Sequence, residues 1–310
     1  MTWPRLLGFS NESDQQGSMP ANSRSSLALV GLEPLMERTA GDPQVRIGLL
    51  DGPVFVGHPA LMRNRILSIP GVTTCDINDS SISCAHGTFV LGILSAARSS
   101  QAPAICPGCT IIVRPIFTDV NSGGLPSTQP SEVAAGIIDC VDMGACVLNL
   151  SAAFWAPAIG QEHQLQQSLD YAARRGVLVV TAAGNRGVIA SSPLTRHPWV
   201  IPAVAYALSG NPLSSANIGP SIGRRGLGAP GEGVLSLTVQ GGVRPVTGSS
   251  VAAAFITGAI ALLWSEFPEA GAGEIRSALI GSGARPRTSV VPPLYNAWRA
   301  FSALSSVYVR

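Results

Sequence analysis

Three residues in one order carry the first chemical signal in this sequence: Asp51, His86 and Ser250. A carboxylate, an imidazole and a hydroxyl brought within hydrogen-bond reach form a nucleophilic triad. Serine alone is a weak nucleophile. The imidazole must take its proton, and the carboxylate must hold the imidazole tautomer and stabilise the imidazolium. A fourth residue, Asn185, offers a carboxamide N–H that can donate to the oxyanion of a tetrahedral intermediate. Elimination points the same way. All 20 basic residues are Arg, so Schiff-base chemistry, a P-loop lysine and a Ser–Lys pair are excluded. Any imidazole must come from His58, His86, His163 or His197.

These side chains act only if secondary structure delivers them to one place. Short apolar runs at 44–50, 110–117, 145–150, 177–181, 200–205 and 235–239 read as strands. Helical patterns at 87–97, 131–143, 162–175, 251–265, 273–280 and 294–305 alternate with them. Continuous Val/Ile/Leu strands between helices predict an α/β fold with a mostly parallel central sheet flanked by helices. In such a fold functional groups collect at the carboxyl ends of strands and at the helix starts that follow. Asp51 directly follows the apolar run of LLDGPV, His86 opens HGTFVLGILSA, and Ser250 opens the long apolar helix. A helix start also presents free backbone N–H groups that favour developing negative charge.

With these segments in view the chain resembles the subtilisin-like serine peptidases. The resemblance rests on LLDGPV, HGTFVLGILSA, VLNLSAA at 147–153, TAAGNRG at Asn185, APGEGV at 229–234 and GSSVAA around Ser250. It spans roughly residues 31–285 and implies a three-layer subtilisin-like fold with Asp51, His86 and Ser250 as the triad and Asn185 as oxyanion donor. A narrower resemblance, in GLEPLMERTAGDPQVRIGLLDGPVFVGHPAL and VRPIFTD, is to cyanobactin maturation proteases of the PatA/PatG type. It implies a peptide substrate, a ribosomally made precursor trimmed of its leader or follower. Peptide pairing would use two edge segments, Ser122–Gly123–Gly124 and Leu150–Ser151–Ala152, with Ala153 at the first specificity pocket and Gly184 as a further substrate-binding residue.

Departures from the family pattern bear on activity. The usual G-T-S-M-A-x-P reads Gly248-Ser249-Ser250-Val251-Ala252-Ala253-Ala254. Ala254 replaces a turn-shaping proline. Phe89 stands where H-G-T-H has its second histidine, and Ala153 stands where a substrate-wall glycine is usual. These changes define two rival readings: a pseudo-protease that binds a peptide without cutting it, and an acyl-transfer variant in which an amine competes with water.

The remaining reactive side chains have plainer readings. His58 is expected to be a structural loop residue, and His163 and His197 surface or capping residues. Asn149 ends a buried strand and is expected to satisfy local backbone groups. The six cysteines suit three local pairs, Cys75–Cys84, Cys106–Cys109 and Cys140–Cys146, although six cysteines allow many other connectivities. One C-x-x-C is too little for zinc. Asp76, Asn78 and Asp79 lack the glycine and distal glutamate of an EF-hand, so no metal or cofactor is expected, with structural calcium as the one exception to look for.

Composition bounds the rest. With 310 residues, 46% hydrophobic and 12% charged, the chain can bury a large core. A net charge of +2 and scattered arginines give no nucleic-acid signal. The N-terminus shows no signal-peptide pattern, and the longest apolar run, 251–264, falls short of a membrane span of about 20 residues. The expectation is a cytoplasmic protein with no membrane partner, a flexible polar arm over 1–26 and one peptidase domain over 27–310.

Overall fold

The computed structural model describes residues 22–61, 65–69, 74–117, 126–152, 159–283 and 290–308. Seven strands form one parallel sheet: β1 (Arg46–Asp51), β2 (Ile66–Ser68), β3 (Thr110–Pro115), β4 (Val147–Leu150), β5 (Leu178–Ala182), β6 (Val200–Tyr206) and β7 (Leu227–Pro230). Their order is β2-β3-β1-β4-β5-β6-β7. Two further strands, β8 (Val234–Leu237) and β9 (Val243–Val246), make an antiparallel hairpin outside that sheet. The run at 235–239, expected as a strand, therefore belongs to a hairpin. The helices are α1 (Asn22–Leu29), α2 (Glu33–Arg38), α3 (Ile82–Ser95), α4 (Pro130–Asp142), α5 (Ile159–Arg174), α6 (Pro193–Arg196), α7 (Pro220–Arg225), α8 (Ser249–Glu266), α9 (Ala272–Gly281) and α10 (Ala297–Tyr308). The boundary expected at residue 26 falls inside α1, where Ser26 is buried.

Alternation along the strands builds the three layers. Ile47 and Leu49 of β1, Ile111 and Val113 of β3, and Leu178 and Val180 of β5 join α3 and α8 in the larger core cluster. Leu50, Ile112, Leu148 and Val179 face the other way and pack with α4 and α5. Both faces are covered, so the strands read as unbroken apolar runs.

The sheet also explains where the site forms. The chain fills the β3 side of β1 first and the β4 side second. Neighbouring strands therefore lead away in opposite directions at the carboxyl end of β1, which opens a crevice there. Asp51 is the last residue of β1.

Helix α8 is long and apolar enough to cross a membrane by length and composition, longer than the run legible in the sequence. Here it is a core helix. Its residues from Ser249 to Leu263 are buried, and it packs on β4, β5, β6, β7 and α3.

Candidate active site

Each of the three predicted residues reaches the site on its own element. Asp51 ends β1, His86 lies near the start of α3, and Ser250 is in the first turn of α8. Close backbone approach makes the first contact. A Cβ on Gly87 would stand 2.5 Å from the carbonyl oxygens of Gly52 and Pro53, and a Cβ on Gly52 would stand 1.9 Å from the Ser83 carbonyl oxygen. The two glycines after Asp51 and His86 thus let α3 lie against the loop leaving β1. The Ser81 hydroxyl caps α3 by accepting from the Cys84 N–H at 3.2 Å.

The result is a buried hydrogen-bonded chain. His86 Nδ1 lies 2.6 Å from Asp51 Oδ1, and His86 Nε2 lies 2.9 Å from Ser250 Oγ. An ionised carboxylate only accepts, so Nδ1 carries the proton and Nε2 is left to accept from Ser250. Asp51 Oδ1 also accepts from the Gly52 N–H at 2.6 Å. Asp51 Oδ2 is buried without a hydrogen-bond partner.

Asn185 meets the start of α8. Its Oδ1 accepts from the Ser249 N–H at 2.8 Å, and its Nδ2 lies on the side of Gly248. The Ser249 hydroxyl accepts from the Gly184 N–H at 3.1 Å, so serine does the tethering in place of the usual threonine. Gly184 sits at φ +107°, a conformation glycine adopts readily, and its carbonyl accepts from the Asn217 N–H. Helix α8 runs unbroken through Ala254, where the family pattern has proline.

Of the expected substrate segments, Leu150, Ser151 and Ala152 are described and buried beside the site. The Ser151 N–H donates to the Leu50 carbonyl and the Ala152 carbonyl accepts from Thr181 Oγ1, which holds the segment on the sheet. Ser122, Gly123, Gly124 and Ala153 lie outside the described residues. One polar support was not anticipated, and another has partners other than those expected. Asn217 accepts from the Arg186 N–H and donates to the Ala183 carbonyl, pinning the loop that carries Asn185. Asn149 bonds side chains rather than backbone: Oδ1 accepts from Thr257 of α8 and Nδ2 donates to Ser151.

The other histidines lie elsewhere. His58 Nδ1 accepts from the Ala60 N–H, and burial lowers its pKa, partly offset by the Gly242 backbone. His163 bonds Gln167 in the open, and His197 at the end of α6 bonds Asp170.

The cysteine pairing needs correction. Cys75 and Cys84 form a disulfide, while Cys106, Cys109, Cys140 and Cys146 are free. Cys106 and Cys109 share a hydrogen bond across their turn, which raises the pKa of Cys106 and lowers that of Cys109. Cys140 and Cys146 sit in different surroundings: Arg114 and Asp139 neighbour the first, Arg46 and Cys109 the second. Proximity in sequence was a poor guide: Cys140 packs in the cluster with α4 and α5, whereas Cys146, just before β4, neighbours Cys109 of the larger cluster. Cys75, Asp79 and Cys84 form a compact donor group, but a disulfide leaves neither sulfur as a thiolate ligand. Asp76 and Asp79 accept from the N–H groups of Asn78 and Ser81, as turn-forming carboxylates do.

A parallel α/β sheet with an Asp–His–Ser chain at its switch point defines the class of serine hydrolases. The sequence profile of the subtilase family, peptidase family S8, matches residues 42–290, and the chain belongs to that family. Fervidolysin from Fervidobacterium pennivorans is 28% identical over 89% of this chain, which spans only 42% of that relative. Mycosin-4 from Mycobacterium tuberculosis is 26% identical over 94% of this chain and 71% of its own length. Among solved structures, the patellamide maturation protease PatA is similar at 27% identity and a TM-score of 0.75, covering 86% of this chain and 98% of its own. The prenylagaramide maturation protease PagA shares the fold at a TM-score of 0.79 and 24% identity, covering 89% of this chain and 99% of its own.

Proposed function

We propose that this chain is a serine endopeptidase that matures a ribosomally made precursor peptide by removing its leader or follower. The observation that carries the reading is the buried chain Asp51–His86–Ser250, with contacts of 2.6 and 2.9 Å, at the N-terminus of α8. The Ser250 hydroxyl attacks the scissile carbonyl carbon and its proton passes to His86 Nε2. Asp51 holds the Nδ1–H and stabilises the imidazolium. The oxyanion accepts from the Ser250 backbone N–H, free in the first turn of α8, and from Asn185 Nδ2. The tetrahedral intermediate collapses as His86 gives its proton to the leaving amine, and water releases the acyl group by the same steps in reverse. The likeness to the patellamide maturation protease supports a precursor peptide as substrate.

Wild type and Ser250→Ala are incubated with a fluorophosphonate and with candidate precursor peptides. Wild type is expected to label on Ser250 and to release two fragments whose masses sum to substrate plus water. The variant should do neither. A wild type that neither labels nor cleaves would sink the reading, and a product lacking that water would turn it to acyl transfer.

A further inference from the structure

A small hydrophobic cluster lies beside this site and takes no part in the chemistry above. It joins Cys75, Cys84 and Val239, with Phe55 and Ala85 packed against them. The segments that meet there are those that lead to the three proposed catalytic residues. Phe55 is on the loop leaving Asp51, Ala85 adjoins His86, and Val239 lies between β8 and β9, the strand that runs on to Ser250. Polar contacts bind the same parts. Cys84 Sγ is 4.0 Å from Thr88 Oγ1, which accepts from the Phe55 N–H at 2.9 Å.

The Cys75–Cys84 disulfide closes the loop that enters α3. Between its ends Asp76, Ile77, Asn78 and Ser80 are exposed, and Ile77, its large apolar side chain before the helix, is 53% exposed. Little apolar burial therefore holds the loop down. Yet this loop supplies Ser81, the cap of α3, and Asp79, which accepts from the Ser81 N–H. His86 follows within the next turn.

We propose that the Cys75–Cys84 disulfide positions His86, and that its reduction by a dithiol turns the site to a slow form. The proposal rests on the triad reading above. A thiolate of the dithiol attacks Cys75, the less buried partner, and the Cys75–Cys84 bond breaks. The second thiol of the reagent resolves the mixed disulfide. Two electrons and two protons reach the cysteines, and the dithiol leaves as a disulfide. The freed loop takes the α3 cap with it, and the alignment of His86 with Ser250 loosens. A misplacement of about 1 Å at reacting groups can cost about 100-fold in rate.

The test uses the whole chain and saturation labelling of Ser250 by a fluorophosphonate, before and after dithiothreitol. Alkylation and mass analysis after labelling confirm that Cys75 and Cys84 were reduced. The maximal labelling rate should fall about tenfold or more, while the half-saturating reagent concentration stays the same. Thermal unfolding should remain cooperative, and oxidised glutathione should restore the rate. An unchanged maximal rate in the reduced protein would overturn the proposal. Loss of cooperative unfolding would overturn it too, by making the bond a matter of global stability. The double variant Cys75→Ser/Cys84→Ser should label slowly and ignore dithiothreitol; a normal rate would count against the proposal, and if it does not fold the reduction experiment decides. No labelling of the untreated protein would instead defeat the triad reading itself.

Discussion

In the proposed mechanism Asn185 serves two purposes. Its Oδ1 is committed to the Ser249 N–H, which orients the carboxamide and caps α8. Asn185→Ala is expected to lower kcat about 100- to 1000-fold with little change in KM. Loss of the cap should also cost about 1 kcal/mol, read as a lower denaturant midpoint. A variant with normal kcat would remove Asn185 from the oxyanion site. The free cysteines give a second prediction at this scale. Burial pushes the Cys140 thiol up to about 12. At pH 8 it is almost wholly protonated, so native Cys140 should resist iodoacetamide for as long as the fold persists. Unfolded and unreduced, the chain should show four titratable thiols, since one disulfide and four free cysteines are present. A count of two or none would restore the rejected pairings.

At the scale of elements, the decisive contact is α3 against the loop after β1. Gly87→Ala would place a methyl 2.5 Å from two carbonyl oxygens. The helix must shift, at a cost of about 1–3 kcal/mol, and it carries His86 away from Asp51. Both the denaturant midpoint and kcat should fall, and an active, stable variant would show that the approach is not needed. The same scale shows where sequence reading fell short. The strands β1, β3, β4, β5 and β6 were legible because two buried faces make continuous apolar runs. Strand β7 was missed: Leu227-Gly228-Ala229-Pro230 has little β propensity and is held by pairing with β6. Helix α3 began earlier than expected because its first turn, Ile82-Ser83-Cys84-Ala85, is weakly patterned and depends on the Ser81 cap and the disulfide.

Over the whole molecule, the parallel sheet and its two cores decide stability, and one buried histidine ties that stability to pH. In the folded state the pKa of His58 is lowered by burial. A depressed folded pKa means the unfolded chain binds the proton more readily. The contribution of His58 is therefore complete above its unfolded pKa of about 6.5 and is lost as pH falls below that value. Protonation would also end the Ala60 N–H bond to Nδ1. Melting temperature should drop between pH 7.5 and 5.5, and His58→Gln should reduce the drop. An equal drop in the variant would assign the pH dependence to other groups.

What the sequence determined by itself was the chemistry on offer and the local scaffolding. Residue types, the lack of lysine and the motifs around Asp51, His86, Asn185 and Ser250 are properties of short segments, and so are strand and helix periodicities. What the tertiary structure decided were relations between segments remote in the chain. They include the meeting of Asp51, His86 and Ser250, the link of Asn149 to Thr257, and the choice of one cysteine pair among three. Each depends on how far and in what direction two elements present their side chains. Sheet order and close packing set that distance, and no local window of sequence contains it.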